Sequence, residues 1–394
     1  MKMIILSRYE LTKGYGYKME KLRIAIIGTG GISNVHTGGY KAIPDKCEIV
    51  AVCDLDGEKA KKYAEVNGVP AYYTDFNEMF AKEKIDAVSV CTWNSSHKPA
   101  TIAALNAGCH VLCEKPMAMN TQEAEEMLEC AKKNGKLLMV GFVRRFGNDA
   151  DLIRKFRDGG TLGDLYYAKA SYLRRNGCPG GWFGDKEYSG GGPLIDLGVH
   201  VIDLVRFLAG NPKPVSVYGV TYNNLDPNRA GGGQSWVSTT TGFDFKFNVE
   251  EMAAAMIRFD NGLTLSVEAS FKLNLKNDRG EIELFGTKAG AKISPEVEYF
   301  GDMNGTFVDI KPFGSSALNF DGLSTAKSTT SLNAVSAIAN ASLPQKTALC
   351  LCRSLMRFTN LHAPVTRLSL SNQYKKDGES RPFCIKMGLL EADP

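Results

Sequence analysis

Asp196 and His200 stand four residues apart in the segment Gly190-Gly-Gly192-Pro193-Leu-Ile-Asp196-Leu-Gly198-Val-His200-Val-Ile-Asp203. Proline suits the first turn of a helix after the glycines, so the spacing predicts a carboxylate and an imidazole on one helical face. A carboxylate one turn from an imidazole holds its tautomer and raises its basicity, which a general base acting on a hydroxyl needs. The same pair can equally be a structural contact on a helix surface. Lys115, in Glu114-Lys115-Pro116, is the second candidate. An ammonium partly removed from water donates to an alcohol or carbonyl oxygen and steadies developing negative charge. A lone lysine at a strand end is otherwise a solvated surface group, so its surroundings decide.

Those surroundings begin at Leu22-Arg-Ile-Ala-Ile-Ile-Gly28-Thr-Gly30-Gly31-Ile32-Ser33, an apolar run that breaks into glycines and then into helix-forming sequence. The run predicts a buried parallel strand. The glycines permit a sharp turn and close approach of a pyrophosphate, while the free N–H groups of the next helix face the phosphates. Ser33 replaces the third glycine of the usual fingerprint, and a small residue still permits close helix–strand packing. A second apolar strand, Glu48 to Cys53, ends in Asp54 at the spacing where an acidic side chain meets an adenosine ribose. A carboxylate there accepts from both ribose hydroxyls and repels a 2′-phosphate, which favours NAD over NADP. Alternatively, Asp54 is a turn residue at a strand end.

Strand-like runs at 22–27, 48–53, 70–73, 86–91, 109–113 and 137–141 alternate with helical stretches such as 56–67 and 98–107. This alternation predicts an α/β fold with a doubly wound parallel sheet, whose ligands bind beyond the carboxyl ends of the strands. The rule places Thr92-Trp93-Asn94, His97 and Glu114-Lys115-Pro116 on the same rim as the glycine turn. Beyond 142 the pattern changes to half-buried strands near 166–172, 215–222, 252–259, 263–271 and 281–285, with Asp260-Asn-Gly262 as a hairpin turn. The second half is therefore expected to be α+β with a mostly antiparallel open sheet, one face of which suits a homo-oligomer, dimer or tetramer.

At 394 residues the chain is long enough for two domains. The expected division is a leader without function over 1–20, a nucleotide-binding domain over 21–142, a substrate and oligomerisation domain over 143–342, and an aberrant tail over 343–394. No run reaches the length of a membrane span or a signal-peptide core, so a cytoplasmic protein is expected. The ten cysteines show no paired C-x-x-C spacing and read as reduced apolar residues rather than metal ligands or disulfides. Of the net charge of +4, all falls in the tail, so the main body shows no nucleic-acid footprint.

Taken together, Gly28-Thr-Gly-Gly-Ile-Ser33 with His36, Asp54, Thr92-Trp-Asn94 with His97, Glu114-Lys-Pro116, Arg144-Arg145-Phe146 and Gly190 through Asp203 resemble the Gfo/Idh/MocA family of glucose–fructose oxidoreductases, inositol dehydrogenases and rhizopine-catabolism enzymes. The resemblance implies a Rossmann domain and hydride exchange between a nicotinamide and a secondary alcohol or ketone of a sugar or cyclitol. It also implies that Lys115, Asp196 and His200 form the catalytic group: His200 as base, Asp196 as its orienting partner, Lys115 as the cation at the oxygen. Arg144, Arg145, Tyr172 and Trp182 are expected substrate contacts, each of which could equally be structural. Trp93 stands where many members have proline and is expected to shape the pocket. The alternatives are an NAD-dependent glycosidase acting by transient oxidation and a non-catalytic sugar- or NAD-sensing protein.

The tail departs from the family, whose members end in a helix resembling I-L-D-A-I-Y-E-S-A. Back-translating Leu351 to Val365 and reading from each codon's third base permits V-Q-I-L-D-A-I-Y-E-S-A-R-T-G. A frameshift near Ser342 to Pro344, in the gene or its recorded sequence, is therefore expected.

Overall fold

The computed structural model describes residues 21–225, 237–238, 240, 243–294 and 296–312, together with the backbone of β1 (Tyr9–Leu11) and β2 (Tyr17–Met19). The suspected out-of-frame tail lies outside the described residues. Within the leader, β1 and β2 pair antiparallel.

The first half forms a six-stranded sheet from β3 (Leu22–Ile27), β4 (Cys47–Cys53), β5 (Ala71–Tyr73), β6 (Ala87–Val90), β7 (His110–Cys113) and β8 (Leu138–Val140). All its neighbours are parallel, in the order β5-β4-β3-β6-β7-β8. The strands are mainly apolar because helices cover both faces: α1 (Gly31–Lys41), α2 (Gly57–Asn67), α3 (Phe76–Lys82), α4 (Asn94–Asn106) and α5 (Thr121–Lys133). Side chains capping helix starts are Asp56, Asp75 and Asn120, each accepting a backbone N–H of the first turn. Helix α4 begins at Asn94 rather than at Lys98, with Pro99 inside it. The strand order reverses between β3 and β6, and this switch point opens a crevice at their carboxyl ends.

The second half carries α6 (Asn148–Asp158), α7 (Lys186–Ser189), α8 (Val199–Leu208) and an eight-stranded sheet. Its strands are β9 (Leu165–Leu173), β10 (Pro214–Tyr222), β11 (Met252–Phe259), β12 (Thr264–Ser270), β13 (Arg279–Gly286), β14 (Ala289–Ile293), β15 (Glu298–Met303) and β16 (Thr306–Ile310). The order is β10-β11-β12-β9-β13-β14-β15-β16, and the sheet is antiparallel except where β12 meets β9. Gly262, at φ +89°, turns the β11–β12 hairpin as its sequence predicts. Strands β14 to β16 lie beyond the runs expected from sequence.

Alternate residues of β11, Ala253, Ala255, Ile257 and Phe259, point inward and pack with α8 residues such as Leu204 and Leu208 into one apolar core. Fully burying one such side chain contributes roughly 1.5–3 kcal/mol. Gly198, just before α8, lies close under β12: a Cβ there would stand 2.9 Å from Leu194 Cδ1 and 3.4 Å from Ala269 Cβ. That close packing sets the depth at which Asp196 and His200 sit. Among the described residues seven cysteines are free, no group of side chains is arranged to hold a metal, and no helix is long and apolar enough to cross a membrane.

Candidate active site

A cavity of about 850 Å³ runs from the glycine turn at the end of β3 to the start of α8. At its nucleotide end Gly28 has φ +88°, and a Cβ there would come within 2.6 Å of the Cys91 carbonyl oxygen. Only glycine lets the chain leaving β3 pass so close to the end of its parallel neighbour β6. Gly30 precedes the first turn of α1, and a Cβ there would meet nothing within 4 Å, so the turn is open toward the cavity. Asp54 Oδ2 accepts from the backbone N–H (2.8 Å) and hydroxyl (2.7 Å) of Thr29, with Lys59 Nζ 3.6 Å away. A glycine cradle, an open helix N-terminus and a carboxylate on the neighbouring strand fit an adenine dinucleotide.

Gly31, Ile32, Thr92, Trp93, Asn94 and Glu114 also line this cavity. Asn94 is held there by its side-chain amide donating to the Ser189 carbonyl at 2.7 Å. Two residues expected at the cofactor do not face it. Ser33 is fully buried, its hydroxyl donating to the Gly30 carbonyl at 2.5 Å, so it tightens the turn from behind. His97 is buried with Nδ1 2.7 Å from the Pro116 carbonyl and Nε2 3.2 Å from the Thr92 carbonyl. It ties the two rim loops together, and burial lowers its pKa.

At the other end Lys115, Asp196 and His200 line the same cavity. Lys115 Nζ donates to Asp196 Oδ1 at 2.7 Å and to the Asp196 carbonyl at 2.9 Å, a bond that spans the two halves of the chain. The expected partnership of Asp196 with His200 is therefore corrected. Among the described residues Asp196 holds the ammonium, because a charge-assisted bond to a cation is stronger than one to a neutral imidazole. A wider helical turn over Leu194–Gly198, in which the Val199 N–H reaches back to the Leu194 carbonyl, joins this carboxylate to α8. The expected rise in His200 basicity is corrected too. Burial, followed by the nearby cations Lys115, Arg144 and Arg174, pushes His200 well below its ordinary value of 6.5.

Of the four expected sugar contacts, Arg144, Tyr172 and Trp182 line the cavity and Arg145 does not. Arg145 is buried against Asp203, with Nε donating to Oδ2 at 2.7 Å and Nη2 to Oδ1. Sequence adjacency to Arg144 misleads here, because Arg144 lines the cavity and donates to Asp149 while Arg145 turns to Asp203. Tyr172 is buried with its ring 6.3 Å from that of His200, and burial raises its pKa. Trp182 stacks on Phe183 with ring centres 3.9 Å apart. Trp93 meets Tyr188, Phe243 and Phe245 edge-on at 4.9, 5.1 and 6.1 Å, which anchors it as an aromatic wall. Arg174 was missed from sequence. It follows Tyr172 by two residues on the same side of the chain, lines the cavity, and donates to the Gly177 carbonyl at 2.7 Å.

Residues 22–142 match the family model described as "Oxidoreductase family, NAD-binding Rossmann fold", and residues 151–292 match the GFO/IDH/MocA C-terminal domain. The chain belongs to the Gfo/Idh/MocA family of NAD-binding oxidoreductases. Relatives in this family include D-glucoside 3-dehydrogenase of Escherichia coli, 37% identical over 292 residues that cover 73% of this chain and 81% of that protein. Levoglucosan dehydrogenase of Pseudarthrobacter phenanthrenivorans is 28% identical over 287 residues, 68% of this chain and 73% of that protein. The solved structure of levoglucosan dehydrogenase in complex with NADH shares this Gfo/Idh/MocA fold, with a TM-score of 0.73, 23% identity and coverage of 86% of this chain and 96% of that one.

Proposed function

We propose that the chain is an NAD-dependent sugar dehydrogenase that oxidises a secondary ring hydroxyl of a glucoside. The observation that carries this reading is the Lys115–Asp196 bond at 2.7 Å, in the same cavity as His200 and the glycine turn. It brings a cation from one half of the chain and an imidazole from the other to a shared wall beside the nucleotide cradle. Likeness to D-glucoside 3-dehydrogenase supports the substrate class.

In this reading Gly28, Gly30, Gly31, Ile32, Asp54, Thr92, Trp93, Asn94 and Glu114 hold the dinucleotide. NAD is preferred to NADP because the Asp54 carboxylate repels a 2′-phosphate. Bound NAD supplies the hydride acceptor. His200, kept neutral by its surroundings, accepts the hydroxyl proton on a ring nitrogen. The Lys115 ammonium donates to the same oxygen as negative charge grows on it, and Asp196 holds that ammonium in place. Trp182 and Trp93 offer apolar faces to the sugar ring, while Arg144 and Arg174 donate to its hydroxyls. Water is excluded by the aromatic wall around Trp93.

The substrate half is also proposed to build a homo-oligomer through the open face of its sheet, where Tyr218 and Met256 are exposed cross-strand neighbours. Light scattering after size exclusion tests this, and a monomer at micromolar concentration rejects it. The function itself is tested by NADH absorbance with a panel of glucosides, free sugars and cyclitols. Turnover with a methyl glucoside and NAD supports the reading; no NADH formation from any member of the panel overturns it.

A further inference from the structure

Behind the cofactor wall lies a chain of buried side chains, of which only Glu114 has a part in the reaction outlined above. His36 and Tyr40 sit one turn apart on α1, the helix whose first turn opens on the cavity. His36 Nε2 donates to Glu114 Oε1 at 2.9 Å, and its Nδ1 lies 3.1 Å from Ser89 Oγ. Ser89 Oγ in turn is 2.6 Å from Tyr40 Oη. At the far end Glu114 Oε2 accepts the backbone N–H of Lys115 at 3.1 Å. The four side chains are buried and come from α1, β6 and the end of β7.

The arrangement is costly unless it is matched. Burial acts against both charges, yet the hydrogen-bonded Glu114 carboxylate raises the pKa of His36, and His36 holds Glu114 below its ordinary range. An imidazolium and a carboxylate therefore face each other out of water, where losing either leaves an unpaired buried charge. Burial also pushes the Tyr40 phenol up, so it stays protonated beside the Ser89 hydroxyl. The bare backbone of Gly141 makes room for the carboxylate, since a Cβ there would stand 3.0 Å from Glu114 Oε1.

We propose that His36, with Ser89 and Tyr40 behind it, is a positioning residue that locks the Glu114 carboxylate and, through it, the peptide carrying Lys115. The nucleotide-binding helix and the catalytic ammonium are thereby set relative to each other by one hydrogen-bonded chain. This inference rests on the dehydrogenase reading above, in which Lys115 meets the substrate oxygen. Displacements of about 1 Å at such a group cost roughly a hundredfold in rate.

The test is steady-state glucoside oxidation by the full chain carrying His36→Gln, Tyr40→Phe, Ser89→Ala, Glu114→Gln, or His36→Gln with Glu114→Gln. His36→Gln is expected to lower kcat about tenfold while KM for NAD stays within about twofold, the split expected of a misplaced catalytic group rather than a damaged cofactor site. Tyr40→Phe is expected to shift kcat in the same direction by less. The double variant is expected to lose no more than Glu114→Gln alone, since both act along one path. An unchanged kcat in His36→Gln, losses that multiply in the double variant, or a rise in KM for NAD alone overturns the proposal. Should His36→Gln fail to fold, Tyr40→Phe and Ser89→Ala carry the same kcat-against-KM test. A parent protein inactive on every sugar overturns the functional reading itself, whereas an active parent with unaffected variants overturns only the positioning chain.

Discussion

Lys115 Nζ and Asp196 Oδ1 are 2.7 Å apart, although 81 positions separate them in the chain. The pair joins the loop after β7 to the turn before α8, so the two halves meet at a bond rather than merely across a cleft. The side chains of both are largely withdrawn from water, at 17% and 11% exposure, which makes the ammonium a directed donor rather than a solvated charge.

Removing that donor should affect the chemical step far more than binding. Lys115→Met is expected to lower kcat by roughly 10²–10³, the usual loss for one donor to a developing oxyanion. Asp196→Asn keeps a hydrogen-bond acceptor of the same shape and should lose less. Stopped-flow measurement of NADH formation with a glucoside checks both, and a Lys115→Met variant with unchanged turnover contradicts the assignment.

The pH dependence follows from His200. Its pKa is lowered well below 6.5 by burial first and then by Lys115, Arg144 and Arg174, so the free enzyme carries a neutral imidazole from neutral pH downward past the ordinary histidine range. Log kcat/KM should therefore stay flat as pH falls through 6.5 and drop only below it. In the unfolded chain the same histidine protonates near 6.5, so its contribution to stability is complete above that value and declines as pH falls below it. A pH–rate profile with its acid limb centred at or above 6.5 contradicts the neutral-base reading.

Arg144 and Arg145 should differ in their effect on sugar binding. Arg145→Ala leaves Asp203 as an unpaired buried carboxylate and is expected to cost about 3–5 kcal/mol in stability. Arg144 Nη2 donates to Asp149 Oδ2 at 3.3 Å, and Asp149 is fully buried, so Arg144→Ala should cost stability as well; because that guanidinium also lines the cavity, it should in addition raise KM for the sugar. Denaturant unfolding and sugar saturation curves for the two variants check this, and a KM for the sugar that rises equally in both, or not at all in Arg144→Ala, would reject it.

The tail makes a prediction about nucleic acid. Codons 351–365 of the gene are expected to spell V-Q-I-L-D-A-I-Y-E-S-A-R-T-G when read from each third base. Sequencing the locus decides it, and codons that fail to spell that helix end the frameshift proposal.

Local pattern was a good guide to the first half of this protein. The apolar runs at 22–27 and 48–53 and the glycines between strand and helix each report a constraint that acts over a few residues: burial on both faces and a positive φ at Gly28. These made the doubly wound sheet and its glycine turn legible without coordinates. Strands β14 to β16 were not legible, since short half-exposed runs such as Tyr299 to Met303 lack a clean alternation.

Sequence alone determined which residues could do chemistry, Lys115, Asp196 and His200, because residue type and local spacing carry that information. Tertiary structure alone decided how they are paired. Whether Asp196 faces an imidazole one turn away or an ammonium from another domain depends on which partner offers the stronger bond once water is excluded. Likewise, only packing distinguishes Arg144 at the cavity wall from Arg145 against Asp203, and only the fold brings His36, Ser89 and Glu114 into one buried chain. Burial and charge compensation are properties of surroundings assembled from distant segments, which no local pattern encodes.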